Sequence, residues 1–270
     1  MGKREAFAVI AIPLLAAAII WLPYWAFLAL LGAVLVVAAD ELLAMARGAG
    51  MALTRWLPLL TLVAVLASSW RWGFSGMAAA ATATVVILPA LQLAHPRAPE
   101  GSLAGAAIAC FSVLYVGLCG ACLGWLRVLP DGDLGIRLLF FFLVSIWIGD
   151  SGAYYIGSHF GRHKMSPRIS PNKTMEGLTG GVVATLVAAA GAKMILSLPF
   201  AWGHMAALAA ILAVAAPLGD LIESQFKRDT GVKDSSTLIP GHGGFLDRTD
   251  SLLFAAPPVL GYLLVAGLLG

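Results

Sequence analysis

The chain is 270 residues long, 60% hydrophobic and only 11% charged, with a formal net charge of +3 and a mean hydropathy of +0.90. A soluble domain of this length cannot hide so much apolar surface, which excludes water as its main solvent, and the small net charge gives no argument for nucleic acid as a partner. The expected fold class is an all-α polytopic membrane protein: a spanning helix needs about 20 apolar residues, several segments supply them, and the short alternating pattern of a membrane barrel is absent.

Nine apolar segments follow one another at 6–22, 24–45, 54–70, 76–94, 103–126, 135–157, 176–198, 202–225 and 251–269. The first follows Met-Gly-Lys-Arg-Glu and reads as a retained helix, because the rest of the chain repeats its character. The three cysteines, Cys110, Cys119 and Cys122, share the fifth segment. Without a second pair or a nearby His, they read as packing residues. The chain divides into N-terminal helices (1–95), middle helices with a polar loop (96–175), and C-terminal catalytic helices and loop (176–270). With nine spans and the N-terminus inside, thirteen Lys and Arg fall on the cytoplasmic side and four on the other. That bias puts the polar loops 158–175 and 226–250 in the cytoplasm, beneath a polar cavity open to that side.

Asp150 comes first among the chemistry-bearing residues, in Trp-Ile-Gly-Asp-Ser-Gly-Ala-Tyr-Tyr. A carboxylate inside an apolar span is costly and marks a functional site or a helix–helix hydrogen bond. In the loop after it, Ser170 and Pro171 read as an N-cap followed by proline at the first helical position. Such a helix start, with Lys173 one turn in, suits an anion. Glu176 reads as a partner for Lys173, and Gly177 with Gly181 as a close-packing face.

Asp220 lies near the end of the eighth segment, where Pro217 and Gly219 are expected to kink the helix. Asp220, Glu223 and Lys227 recur on one helical face. Asp220 either faces a polar cavity or pairs with Lys227 or Arg228 at the interface. The run Ser224–Asp250 then places four basic residues (Lys227, Arg228, Lys233, Arg248) among four carboxylates and a Pro-Gly-His-Gly-Gly turn. Asp250 reads as the cap of the last helix. Asp247 is not needed as a cap and is expected to face Asp220 and share a cation with it, since two close carboxylates repel without one. Mg²⁺ suits such an oxygen site. The turn's glycines would let backbone N–H groups approach phosphate. His242 is a candidate phosphate donor or general acid.

The stretch from Ser224 to Asp250, Ser-x-apolar-Lys-Arg, Lys-Asp and Pro-x-His-Gly-Gly-apolar-x-Asp-Arg-x-Asp, resembles the phosphatidate cytidylyltransferases (CDP-diacylglycerol synthases) without a gap. The Asp150 stretch and Ser170-Pro171…Lys173-Thr174…Glu176-Gly177 also resemble family elements. Asn172 and Met175 depart from the residues frequent in relatives. The resemblance implies CMP transfer from CTP to phosphatidate, giving CDP-diacylglycerol and pyrophosphate, in a homodimer of the bacterial-type inner membrane. It implies Asp220 and Asp247 as Mg²⁺ ligands, with a second cation as an option, and Asp220, Asp247, Lys227 and His242 as catalytic residues. Ser224, Arg228, Lys233, Asp234, Arg248, Lys173, Ser170 and Asp150 are then substrate-binding candidates. A CTP-dependent lipid kinase would use the same tools, and an ion transporter would explain the intramembrane acids Asp150 and Asp220.

Overall fold

The structure is a computed structural model that describes residues 3–94, 99–129, 133–239, 241 and 243–269, with side chains from Val9 on. It is all-helical apart from one short hairpin, and it forms two compact units: residues 1–124 with 229–249, and residues 125–228 with 250–270.

The first unit contains α1 (Lys3–Trp21), α2 (Tyr24–Gly48), α3 (Trp56–Gln92), α4 (Ser102–Ser112) and the start of α5 (Cys119–Val128), which a π-helical turn over Val113–Leu118 joins to α4. The expected segments 54–70 and 76–94 are the two limbs of α3. They part at Gly73, whose φ of 62° and ψ of −144° no helix contains. The bend is sharp enough to bring Gly76 against the Ser68 carbonyl, where a side chain would not fit. Along α2, Leu28 and Leu35 are buried and meet Gly124 and Gly120 of α5, so small residues let apolar ones pack closely. The Arg55 guanidinium closes the α2–α3 connection by donating twice to Asp40, each bond 2.6 Å. The cysteines have no disulfide and serve as packing residues.

The second unit contains the end of α5, α6 (Asp133–Phe160), an antiparallel hairpin of β1 (Lys164–Ser166) and β2 (Ser170–Thr174), α7 (Met175–Ile195), α8 (Trp202–Asp229) and most of α9 (Leu246–Val265). Helices α6 and α7 meet along a seam of small residues. Gly149 and Gly152 face Thr185 and Ala184, and Gly177, Gly180 and Gly181 face Gly157, Ile156 and Ala153. The Gly-x-x-x-Gly of the sequence is thus a close-packing face. Helix α8 continues through Pro217. A Cβ on Gly219 would lie 2.7 Å from both the Asp250 carbonyl oxygen and Phe254 Cβ, so its smallness admits α9 rather than breaking α8.

Among the described residues, six helices are long and apolar enough to cross a membrane: Tyr24–Gly48, Trp56–Gln92, Ser102–Val128, Asp133–Phe160, Met175–Ile195 and Trp202–Asp229. The chain is therefore an integral membrane protein. The two limbs of α3 count here as one element; of the other expected segments, Val9–Trp21 is shorter, and α9 carries Pro257, Pro258 and an acidic first turn.

Candidate functional site

In the second unit the hairpin after α6 meets the polar end of α8. Lys173 Nζ of β2 lies 2.6 Å from Asp220 Oδ2 of α8, and Arg228 Nε donates to the Ile169 carbonyl at 3.2 Å. The hairpin is thereby held to α8 at two points. Ser224 Oγ, one turn after Asp220, donates to its Oδ1 at 3.3 Å. On the same face Lys227 Nζ lies 2.5 Å from Glu223 Oε2, and both side chains are buried. Asp220 therefore pairs with Lys173, while Lys227 belongs to Glu223. Asp250 is 7% exposed and stands within electrostatic reach of Asp220, Glu223 and Lys227. Three carboxylates and two ammonium groups thus share one region of the unit.

The hairpin corrects the expected helix start. Ser170 and Pro171 are strand residues, and Ser170 pairs with Ser166. The N-cap of α7 is Thr174, whose Oγ1 accepts from the Gly177 N–H at 3.1 Å. A proline is tolerated in β2 because a two-stranded sheet has an open edge that needs no N–H. Lys173 precedes the cap instead of lying one turn inside the helix. Glu176 is not the partner of Lys173. It accepts from the Arg162 and His163 N–H groups (3.0 and 3.2 Å) and lies 2.5 Å from His163 Nδ1, closing the turn between α6 and β1. Asp150 is exposed on α6, flanking the glycine seam.

In the first unit, Asp247 sits in the first turn of α9. Its Oδ2 accepts from the Ser235 N–H (2.8 Å), the Ser235 hydroxyl (2.7 Å) and the Gly244 N–H (2.8 Å). The bond to Gly244, three residues back, ties the first turn of α9 to the residues that lead into it. Asp250 does not cap the helix, because α9 begins at Leu246 and Asp250 is one turn inside it. The glycine turn is also corrected. The Gly244 N–H is engaged by Asp247 rather than offered to phosphate, and a Cβ on Gly244 would collide with Ser235 Oγ and the Glu41 carboxylate. Gly243 has φ +77° and would place a Cβ 2.5 Å from Asp247 Oδ2. Lys233, Asp234 and Arg248 are exposed around this turn. His242 lies outside the described residues.

Sequence reasoning passed over Glu41. It is 4% exposed on α2 and accepts four hydrogen bonds: from the Ser236 hydroxyl (2.6 Å) and Phe245 N–H (3.1 Å) on Oε1, and from the Ser235 hydroxyl (3.0 Å) and Leu246 N–H (2.8 Å) on Oε2. Phe245 and Leu246 carry the first N–H groups of α9, which have no partner within the helix, and a carboxylate there also suits the helix dipole. The signal was a pair of acids, Asp40-Glu41, inside an apolar span.

Asp220 belongs to the second unit and Asp247 to the first. Among the described residues no group of three or more His, Cys, Asp or Glu side chains is placed to hold a metal ion. A hard ion such as Mg²⁺ takes one or two carboxylates and completes its shell with water and substrate phosphate. Asp220 and Asp247, each in its own unit, offer carboxylate oxygens, the donor type such an ion takes.

The chain matches the model of the cytidylyltransferase family over residues 2–266. It is 42% identical over 146 residues to a phosphatidate cytidylyltransferase of Bacillus subtilis, an alignment covering 54% of each chain. It is 38% and 39% identical over 164 residues to proteins of that name from Staphylococcus saprophyticus and Staphylococcus epidermidis, covering 61% of each chain. The chain thus spans between 54% and 61% of the length of these relatives. The motifs, the helical membrane fold and the match over nearly the whole length agree: the chain belongs to the cytidylyltransferase family.

Proposed function

We propose that the protein transfers CMP from CTP to phosphatidate, releasing pyrophosphate and forming CDP-diacylglycerol. The observation that carries this reading is the Lys173–Asp220 pair, which sets an ammonium group of the first polar loop beside an acid at the polar end of α8. Family membership and the relatives' names support it. The substrates are CTP and a membrane phosphatidate, and the protein is a homodimer of a bacterial inner membrane. All nine apolar segments cross the bilayer, counting α3 as two, and the site opens to the cytoplasm, where most of the Lys and Arg lie.

An oxygen of the phosphatidate phosphate attacks the α-phosphorus of CTP. A P–O bond forms there as the bond to the β-phosphate breaks, and pyrophosphate leaves with the electron pair. No covalent enzyme intermediate is required, and phosphatidate is already ionised at neutral pH. Asp220 and Asp247 are the carboxylates that would hold Mg²⁺, and the chemistry it would supply is neutralisation of charge on the triphosphate and the departing pyrophosphate. A second cation at the same carboxylates is compatible with that arrangement. Lys173 and Lys227 present ammonium groups beside Asp220 and Glu223, and Arg228, Lys233 and Arg248 are the further cations that would bind the two phosphates. Ser224 orients Asp220, Ser170 and Asp150 flank the hairpin side of the site, and Asp234 flanks the turn that carries His242. Positioning and electrostatics supply most of the acceleration.

The test uses purified protein with labelled CTP and phosphatidate, with and without Mg²⁺. Labelled CDP-diacylglycerol and pyrophosphate should appear, EDTA should stop the reaction, and Asp220→Asn or Asp247→Asn should abolish it in folded protein. Release of CDP instead of pyrophosphate would identify a lipid kinase, and near-normal turnover in either variant would reject the metal assignment.

A further inference from the structure

We infer that Glu41 is a positioning residue for the Asp247 carboxylate, acting through Ser235 and the first turn of α9. This rests on the reading that Asp247 holds the catalytic cation.

The argument begins with what a buried carboxylate needs. Glu41 is almost fully removed from solvent, and a charge there is tolerated only when its oxygens are well supplied with donors. It has four, and they come from two places. Ser235 and Ser236 lie at the near end of the motif loop, while Phe245 and Leu246 lie at its far end. A single side chain from α2 therefore clasps both ends of the segment 235–246. The residue that follows is Asp247.

Ser235 carries the connection further. Its hydroxyl is 3.0 Å from Glu41 Oε2 and 2.7 Å from Asp247 Oδ2, while its backbone N–H also donates to Asp247 Oδ2. A hydroxyl has one proton, so Ser235 sits between two carboxylates and serves both through one rotor. Two backbone N–H donors, joined by the Ser235 hydroxyl when its proton turns that way, meet on one oxygen of Asp247 and fix the plane of its carboxylate. Groups that hydrogen-bond a metal ligand in this way set its orientation, and their loss typically costs about 10–100-fold in metal affinity or activity. Gly244 shows how tightly the arrangement is built. A Cβ at that position would lie 2.5 Å from the Glu41 carboxyl carbon, so the glycine is needed for the clasp to close.

A merely structural Glu41 would lower the yield or melting temperature and leave cation binding per folded molecule unchanged. A positioning Glu41 changes the cation site itself. Glu41→Gln keeps the size of the side chain but, whichever way the amide turns, points its NH₂ at a backbone N–H (Phe245 or Leu246), which strains the clasp without opening a cavity.

The experiment uses the full-length protein in detergent, titrated with Mn²⁺ and followed by electron paramagnetic resonance, alongside turnover as a function of Mg²⁺. Glu41→Gln should weaken Mn²⁺ binding and raise the Mg²⁺ concentration for half-maximal rate by about 10–100-fold, with the KM for CTP changed less than threefold at saturating Mg²⁺. Glu41→Asp, which restores the charge, should recover part of the loss. If Glu41→Gln does not fold, Ser235→Ala takes its place. It keeps the backbone N–H on Asp247 and should weaken Mn²⁺ binding severalfold. Wild-type Mn²⁺ affinity in a folded Glu41→Gln or Ser235→Ala protein overturns the inference. Asp247→Asn is measured in parallel. If it abolishes Mn²⁺ binding while the other variants behave as wild type, the catalytic reading stands and the positioning role falls. If Asp247→Asn also binds and turns over normally, or the unsubstituted protein binds no Mn²⁺, both fall.

Discussion

Lys173 of the hairpin and Asp220 of α8 are joined by a 2.6 Å ion pair, and that contact ties the loop after α6 to the polar end of α8. The pair is partly exposed, so its value for stability is small. Its chemical value is larger, because it sets an ammonium group beside the proposed ligand.

Lys173→Ala should therefore cost activity far more than stability. The expected outcome is a loss of at least about 100-fold in turnover, in the range seen when one preorganised charge-stabilising group is removed, with little change in melting temperature. Lys173→Arg should recover only part of it, since a planar guanidinium does not reproduce a compact point charge. Initial rates against CTP, with melting curves on the same samples, provide the check. Turnover within threefold of wild type in Lys173→Ala would show that the lysine only fastens the hairpin.

Gly244→Ala should be among the most damaging single-methyl additions in the chain. The new Cβ meets Ser235 Oγ and the Glu41 carboxylate, both held by hydrogen bonds and neither at the end of a mobile side chain. Overpacking of this kind costs about 1–3 kcal/mol, read as a lower denaturation midpoint in detergent. Activity should fall as well, because the same methyl displaces donors of Asp247.

The α6–α7 seam gives a paired comparison on one helix. Gly180→Val would press its Cβ against Ile156 Cβ at 2.6 Å and should destabilise the second unit by about 1–3 kcal/mol. Gly191→Ala, with nothing within 4 Å, should be neutral or stabilise by up to about 1 kcal/mol through helix propensity. Thermal unfolding of both variants in one detergent decides the matter, and equal effects would reject the seam.

Thr174→Ala removes the N-cap of α7 and should cost about 0.5–2 kcal/mol, while Thr174→Ser should retain most of the stability. Because Lys173 is the adjacent residue, the alanine variant should also lower turnover. A serine variant as impaired as the alanine one would point to the lost methyl group rather than the cap.

The apolar segments, the membrane class and the two polar loops were legible because composition and hydropathy act locally. What needed three dimensions was the use of each polar group. Ser170-Pro171 has the local form of a helix start, yet pairing of Ser170 with Ser166 and Lys164 with Thr174 outweighs it and moves the cap to Thr174. The paired glycines suggested room for phosphate, whereas Gly244 makes room for Glu41. Glu41 could be recognised as an acid in an apolar span, but its partner Ser235 lies 194 positions away and no local pattern names it. Asp247 was expected as a site residue, but its bond to the Gly244 N–H was missed because the start of α9 was placed too late.

The buried acid on α2 also has a consequence for the order of biosynthesis. Glu41 leaves the ribosome long before Ser235, Ser236, Phe245 and Leu246 exist, so its span must enter the bilayer with a carboxylate whose final donors have yet to be made. A charged group at the centre of a spanning helix costs about 2.5–3.5 kcal/mol on insertion. The mean hydropathy of 2.2 in the most apolar stretch of Tyr24–Gly48 offsets that cost, and position 41 lies toward one end of the helix. The greasiness of α2 thus serves translation first and packing later: it carries an acid across a waiting period that ends only when the other end of the polypeptide arrives.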